Sequence, residues 1–88
     1  MYVLVCTEYR GVFVGETEDT TTAPQSITLT NCRMVIYWGT SRGVLQLAEE
    51  GPTAKTIASA RAPAITLWKI TAIVSLTAKA QQAWEALR

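Results

Sequence analysis

The longest β pattern in the chain lies in residues 26–38, and it restricts the fold class more than any other feature. In its first part the apolar Ile27 and Leu29 alternate with threonines, which gives the segment one apolar and one polar face. After Asn31 the sequence continues as a second extended run. Asn31 is therefore predicted to mark a bulge or a corner within a long strand.

Shorter β patterns flank this segment on both sides. Residues 2–9 and 12–16 are rich in β-branched and aromatic residues, and the turn signal Arg10-Gly11 between them predicts a β-hairpin. Residues 55–60 are predicted to form a short strand. Residues 65–76, rich in Ile, Thr and Val, are predicted to form a strand or a bent pair of strands.

Two helices complete the prediction. Residues 42–50 are bracketed by Ser41 as an N-cap and by Gly51-Pro52 as a stop signal. Thr77 is a second N-cap, and apolar residues then recur at helical spacing: Ala80, Ala83, Trp84 and Leu87. The sequence thus predicts a single α+β domain over residues 1–88, a small twisted, mainly antiparallel β-sheet or barrel with one short internal helix and a C-terminal helix.

The number of large apolar side chains indicates self-association. A chain of 88 residues buries only roughly 60 to 65% of its unfolded surface, so its core is small. Yet 49% of the residues are hydrophobic, with three Trp and three Tyr among them. Since obligate interfaces resemble a core cut in half, we expect the surplus to lie between subunits of a homo-oligomer.

Charge and composition argue against several functional classes. The net charge is +1 and no run of basic residues occurs, which disfavours duplex nucleic acid as a partner. The chain has no histidine and no convincing nucleophile–base or paired-carboxylate arrangement, so we expect neither an enzyme nor a metal or other cofactor. No apolar span approaches the ~18 residues of a membrane helix, and the short apolar start lacks the basic residues of a secretory signal.

The two cysteines match neither a zinc nor a redox motif. Cys6 and Cys32 both lie in apolar strand patterns, which predicts buried, reduced thiols in a cytosolic protein. A disulfide between neighbouring strands is the alternative.

A candidate binding site occupies residues 37–43. Aromatic faces stack on rings, the guanidinium of Arg forms paired hydrogen bonds with phosphate, and Gly lets backbone N–H groups come close to a ligand. The run therefore suits a small anionic nucleotide. Alternatively, the aromatic pair belongs to the core or a subunit interface, and an ordinary turn follows it. The candidate contacts in this run are Tyr37, Trp38, Thr40, Ser41 and Arg42.

Four residues outside this run are further candidate contacts. Arg10 lies in the hairpin turn, and Arg33 interrupts an apolar run, where it either enters a pocket or faces solvent. Lys55 and Thr56 belong to a segment, residues 51–56, that lacks the second glycine of a nucleotide-hydrolase phosphate loop. We expect this segment to act as a loop that lends Lys55 and Thr56 to an anion in an oligomer cleft.

Three segments carry a resemblance to a known family. Residues 10–16 read Arg-Gly-Val-Phe-Val-Gly-Glu, residues 31–38 read Asn-Cys-Arg-Met-Val-Ile-Tyr-Trp, and Arg-Gly-Val-Leu-Gln-Leu-Ala begins at residue 42. Together with Gly-Pro-Thr at residues 51–53 and Ala-Trp-Glu at residues 83–85, this combination resembles a family of small tailed-phage proteins with no assigned activity. The resemblance implies a phage gene product acting in the cytoplasm of the infected bacterial host.

Two functional hypotheses follow from these observations. The first is a non-catalytic homo-oligomer that binds a small anionic nucleotide between protomers, by analogy with phage sponges that sequester cyclic nucleotide immune signals. The second is a phage structural or assembly component, or an inhibitor of a host protein. In that case the aromatic residues are mainly core and interface.

Overall fold

The extended segments of the chain pair into a six-stranded sheet in the computed structural model, which describes residues 1–8, 11–18, 26–41 and 43–87. The elements in chain order are β1 (Tyr2–Thr7), β2 (Val12–Glu16), β3 (Ser26–Tyr37), α1 (Leu45–Glu49), β4 (Ile57–Ala58), β5 (Ala62–Trp68), β6 (Ile70–Ser75) and α2 (Ala78–Ala86). Their strand pairs are antiparallel, so the predicted α+β class is confirmed. The sheet is not closed, and the fold is an open sheet rather than a barrel.

The 12-residue strand β3 is the centre of this sheet. It pairs with β2 along one edge, and with β4 and then β5 along the other, from Tyr37↔Ile57 to Ser26↔Trp68. Asn31 has a φ of 49°, a left-handed conformation that Asn tolerates better than most residues. The corner predicted at Asn31 is therefore confirmed, and it turns the two halves of β3 relative to one another.

The bent pair of strands that the sequence allowed over residues 65–76 is present as β5 and β6, but β5 begins three residues earlier than predicted, at Ala62. Lys69, with a φ of 54°, is the corner between β5 and β6. On one side of it β5 pairs with β3, whereas on the other side β6 pairs with β1. The Glu8 N–H donates to the Lys69 carbonyl at 2.9 Å and fixes the corner against the end of β1.

Apolar side chains pack on both faces of the sheet. One cluster joins the strands to the helices and includes Leu4, Val14, Val35, Leu47 and Trp84. The other lies on the opposite face and consists of Val3, Val5, Ile27, Leu29, Cys32 and Leu67. Because β3 supplies residues to both clusters, it is buried on both faces over part of its length.

Helix α2 begins as the sequence predicted. The Thr77 hydroxyl accepts a hydrogen bond from the Ala80 N–H at 3.1 Å, which satisfies one of the free donors of the first turn. Trp84 is 1% exposed, and its indole N–H donates to the Leu47 carbonyl at 3.0 Å. Trp84 therefore anchors α2 on the sheet and ties it to α1.

Helix α1 is shorter than predicted. It covers Leu45–Glu49 and has Val44 as its N-cap, with no side-chain hydrogen bond, instead of beginning behind Ser41. The Thr40 hydroxyl donates to the Gly43 carbonyl at 2.7 Å, and Gly43 has a φ of +87°. This non-helical turn delays the start of the helix. Neither helix in the described ranges has the length and apolarity of a transmembrane span.

Candidate functional site

The end of β3 and the segment before β4 meet in a corner that carries most of the predicted contacts. Tyr37 and Trp38 are 58% and 41% exposed, and the backbone of Lys55 and Thr56 lies beside them. We call this group of residues the aromatic corner: Tyr37, Trp38, Thr40, Lys55 and Thr56. The pairing Tyr37↔Ile57 between β3 and β4 brings the two segments together.

Hydrogen bonds between the two segments hold the aromatic corner in place. The Thr56 hydroxyl donates to the Trp38 carbonyl at 2.6 Å, and the Thr53 hydroxyl donates to the Gly39 carbonyl at 2.7 Å. The Thr53 N–H donates in turn to the Thr56 oxygen at 2.9 Å. The Thr56 hydroxyl therefore supports the backbone at Trp38 and has no proton left to donate to a ligand, because that proton is already donated within the fold.

Gly39 allows the close approach on which this corner depends. Its φ is +65°, and a Cβ there would lie 2.5 Å from the Lys55 carbonyl carbon. Any side chain would push the two segments apart, in addition to the strain of a left-handed backbone. Gly39 thus sets the distance between Trp38 and Lys55.

The groups that the corner offers to a ligand are two ring faces, one ammonium and hydroxyl groups. Lys55 is exposed on a flexible aliphatic stem, so its charge can reach an anion near the rings. Ser41 is exposed in the turn after Thr40, and the Thr40 hydroxyl oxygen keeps its capacity to accept. This chemistry suits a planar ring that carries a negative group.

A concavity of about 430 Å³ runs along the end of β3 beside these groups. Its lining consists of consecutive residues: Met34, Val35, Ile36, Tyr37, Trp38, Gly39 and Thr40. Its volume falls in the usual range of small-molecule sites, and such sites are mostly apolar with a few polar groups. The aromatic corner forms one end of the concavity.

Arg33 does not belong to this corner. Its side chain is 6% exposed, and it donates from Nε to the Ser59 carbonyl and from Nη1 to the Leu87 carbonyl, each at 2.8 Å. Burial lowers the pKa of Arg33, the neighbouring Arg61 lowers it further, and Tyr2 acts in the opposite direction. The guanidinium is thus committed to the carbonyls at the end of α2 rather than to a pocket or to solvent.

Arg61, which the sequence did not single out, completes this arrangement. Its Nη2 lies within 3.1 Å of the carbonyl oxygens of Trp84, Glu85 and Leu87. Carbonyls at the end of a helix carry its partial negative charge, although that of Trp84 also accepts from the Leu87 N–H at 3.3 Å. Two arginines from separate segments therefore cap α2. The remaining candidates, Arg10 and Arg42, lie outside the described residues.

The exposed aliphatic side chains beside the aromatic corner were also not identified from the sequence. Met34, Ile36 and Ile57 are between 44% and 62% exposed, although all three belong to strands. The sequence pattern did indicate this exposure, since Met34 and Ile36 alternate with the core residue Val35. Together with Tyr37 and Trp38 they form what we call the apolar strip.

The two thiols of the described residues are poorly placed for nucleophilic chemistry. Cys32 is buried and Cys6 is partly buried, and both are free thiols. Burial raises the pKa of Cys6, and it raises that of Cys32 to about 11, which suppresses the reactive thiolate. The described part of the chain brings no group of three or more acidic, Cys or His residues together in a way that could hold a metal ion.

The fold and the corner define a small α+β protein with an open antiparallel sheet and an exposed aromatic surface at the end of its central strand. Residues 1–84 match a domain of unknown function, DUF6948, and the chain belongs to that family. No curated protein and no solved structure matches the chain.

Proposed function

We propose that the protein is a non-catalytic binding protein whose aromatic corner takes a small anionic nucleotide. The observation that supports this proposal is the exposure of two adjacent aromatic side chains, Tyr37 and Trp38, next to a segment that contributes the exposed cation Lys55. One ring stacks on the base, the ammonium and the Ser41 hydroxyl contact the phosphate, and the Thr40 hydroxyl oxygen, whose proton is donated to the Gly43 carbonyl, accepts from an N–H or O–H group of the ligand.

The strength of these contacts favours binding by more than one copy of the chain. Stacking of one base on an aromatic side chain contributes about 1–3 kcal/mol, and an exposed ion pair about 0–1 kcal/mol. Their sum is at most about 4 kcal/mol, which corresponds to a dissociation constant of about 1 mM or weaker. A protein that sequesters a signal needs tighter binding, so we place the ligand between the aromatic corners of a homo-oligomer.

The biological setting of this proposal comes from the resemblance to small tailed-phage proteins. In the cytoplasm of an infected bacterium, a non-catalytic nucleotide binder acts by lowering the free concentration of its ligand. A cyclic nucleotide signal of host immunity fits this role, because sequestration alone silences it. The proposed function is therefore an anti-defence sponge.

Thermal denaturation with a panel of mononucleotides and cyclic nucleotides tests the proposal. A ligand at 100 times its dissociation constant stabilises the folded state by about 2.7 kcal/mol, which raises the melting temperature by several degrees. Trp38→Ala should abolish the shift, and Lys55→Ala should reduce it. Trp68→Ala is the matched control, since Trp68 is 66% exposed on β5 and should leave the shift intact. The absence of a shift with every nucleotide would reject the proposal.

A second candidate function is a protein-interaction module, either a phage assembly component or an inhibitor of a host protein. The apolar strip favours it, because Met34, Ile36 and Ile57 offer aliphatic surface that a nucleotide has no need of. Under this function Ile36→Ala weakens partner binding, whereas Lys55→Ala does not. Under nucleotide binding, Lys55→Ala weakens binding of the ligand.

A further inference from the structure

The end of β3 projects beyond its neighbour β2. The register between the two strands runs from Glu16↔Thr30 to Phe13↔Met34 and extends no further along β3. Val35, Ile36 and Tyr37 therefore lie past the last pair with β2, although β4 still covers their other edge. Ile36 and Tyr37 of the apolar strip lie in this projecting end, where β3 lacks a register partner on its β2 side among the described residues, and the other members of the strip adjoin it.

The size of the apolar strip matches the apolar part of one protein–protein interface. Aromatic side chains bury roughly 150–250 Å² each when fully covered, and aliphatic ones bury less, so the five half-exposed side chains offer at most roughly 400–500 Å². A standard interface buries about 800 Å² on each partner, of which about 56–65% is apolar. The strip thus provides most of the apolar area of one such contact.

From the projecting edge, the area and the charge, we infer that a second copy of this chain packs on the apolar strip across a twofold axis. Antiparallel pairing of residues 35–37 with the same residues of the second copy gives both copies identical contacts, which a twofold axis requires. Lys55 is the sole charged residue in residues 34–41 and 53–58, so the two surfaces meet without like charges at their centre.

The inference rests on the proposed function only in that both require a homo-oligomer, and it specifies that oligomer as a twofold dimer. It places the aromatic corners of the two copies beside one another, with Lys55 of each copy at the rim of the contact. A nucleotide bound there would contact both copies, which accounts for the additional affinity that a single corner lacks.

Sedimentation-equilibrium measurements on the full chain test the inference. The wild type should be a dimer that dissociates on dilution. Ile36→Glu places a charge at the centre of the strip and should weaken the dimer on the order of 100-fold, or abolish it. Because Ile36 is 62% exposed in the single chain, the variant should keep its fold, which circular dichroism checks. Trp68→Glu is the matched control, an equally exposed apolar residue changed in the same way, and it should remain dimeric.

Three results would overturn the inference. They are a wild type that is monomeric at all concentrations, an Ile36→Glu variant that dimerises as tightly as the wild type, and a monomer that uses the strip to bind a different protein. Lys55→Ala separates the inference from the proposed function, because it should stay dimeric while responding less to nucleotide. A stable dimer that Ile36→Glu breaks, but that binds no nucleotide, would support the inference and reject the function.

Discussion

Arg33 and Arg61 donate to the same acceptor, the carbonyl oxygen of Leu87, at 2.8 Å and 3.0 Å. Two like charges come together because the carbonyls at the end of α2 carry the partial negative charge of the helix. Each guanidinium also binds a further carbonyl, that of Ser59 for Arg33 and that of Trp84 for Arg61. The pair fixes the C-terminal end of α2 to the sheet and to the segment between β4 and β5.

Replacing Arg33 should destabilise the fold. Arg33→Met keeps the aliphatic stem but removes one donor from the partly buried carbonyls of Ser59 and Leu87, the second of which keeps Arg61, so we expect a loss of about 1–3 kcal/mol in the free energy of unfolding. Arg61→Met is the control. Arg61 is exposed, and water can replace its hydrogen bonds, so that loss should be about 1 kcal/mol or less. Urea denaturation measures both, and equal losses would contradict the assignment.

Truncation should destabilise the protein strongly at Trp84 and hardly at all at Trp68. Trp84→Ala removes a fully buried ring and should cost about 3–5 kcal/mol. Trp84→Phe keeps most of the packing but leaves the Leu47 carbonyl without its donor, and it should cost about 1–3 kcal/mol. Trp68→Ala should change the free energy of unfolding of the single chain by about 0.5 kcal/mol at most. A large loss at Trp68 in dilute, monomeric protein would be inconsistent with its exposure.

Gly39 and Gly43 form a natural pair for testing the close contact in the aromatic corner. Both have positive φ, but a Cβ at Gly39 would collide with the Lys55 backbone, whereas a Cβ at Gly43 would meet nothing within 4 Å. Gly43→Ala should therefore cost about 1 kcal/mol, from backbone strain alone. Gly39→Ala should cost distinctly more and should lower the affinity of any ligand of the corner. Thermal or chemical denaturation of both variants decides the point, and similar losses would show that the segments can separate freely.

The buried thiol of Cys32 should make stability fall at alkaline pH. Its pKa in the folded protein is about 11, above the ordinary value of 9.0, because burial disfavours the thiolate. The unfolded chain therefore loses this proton first, and the contribution of the thiol, complete below pH 9, is lost as pH rises from about 9 to 11. Denaturation across this range should show a steeper decline for the wild type than for Cys32→Ala. Parallel slopes for the two proteins would argue against a buried, protonated thiol.

Local patterns were sufficient to predict much of the fold. The alternation around Ile27 and Leu29, the corner at Asn31 and the cap at Thr77 all act within a few residues, so sequence spacing reveals them. The start of α1 could not be predicted in the same way. Ser41 has the chemistry of an N-cap, but the turn closed by Thr40 and Gly43 moved the helix further along the chain.

The role of Arg33 could not be predicted, because its partners lie far away in the sequence. Ser59 and Leu87 follow it by 26 and 54 residues. Its position in the strand was also misleading. A sheet with one buried face would expose Arg33 opposite its buried neighbour Cys32, but β3 is covered on both faces, so both side chains are buried. The hydrogen bond between Thr56 and Trp38, 18 residues apart, could not be predicted for the same reason.

The strand order has a consequence for how the protein is made. Strand β1 holds Val3, Leu4 and Val5, none of which has any exposed surface in the folded chain, and its second neighbour is β6, where Val3 pairs with Ser75. During synthesis, β1 and its hairpin partner β2 leave the ribosome with one edge unpaired until β6 has been translated. Such long-range pairing slows folding and leaves an apolar edge open to association with other nascent chains. Rapid, high-level expression should therefore favour aggregation, and slower synthesis should raise the yield of folded protein.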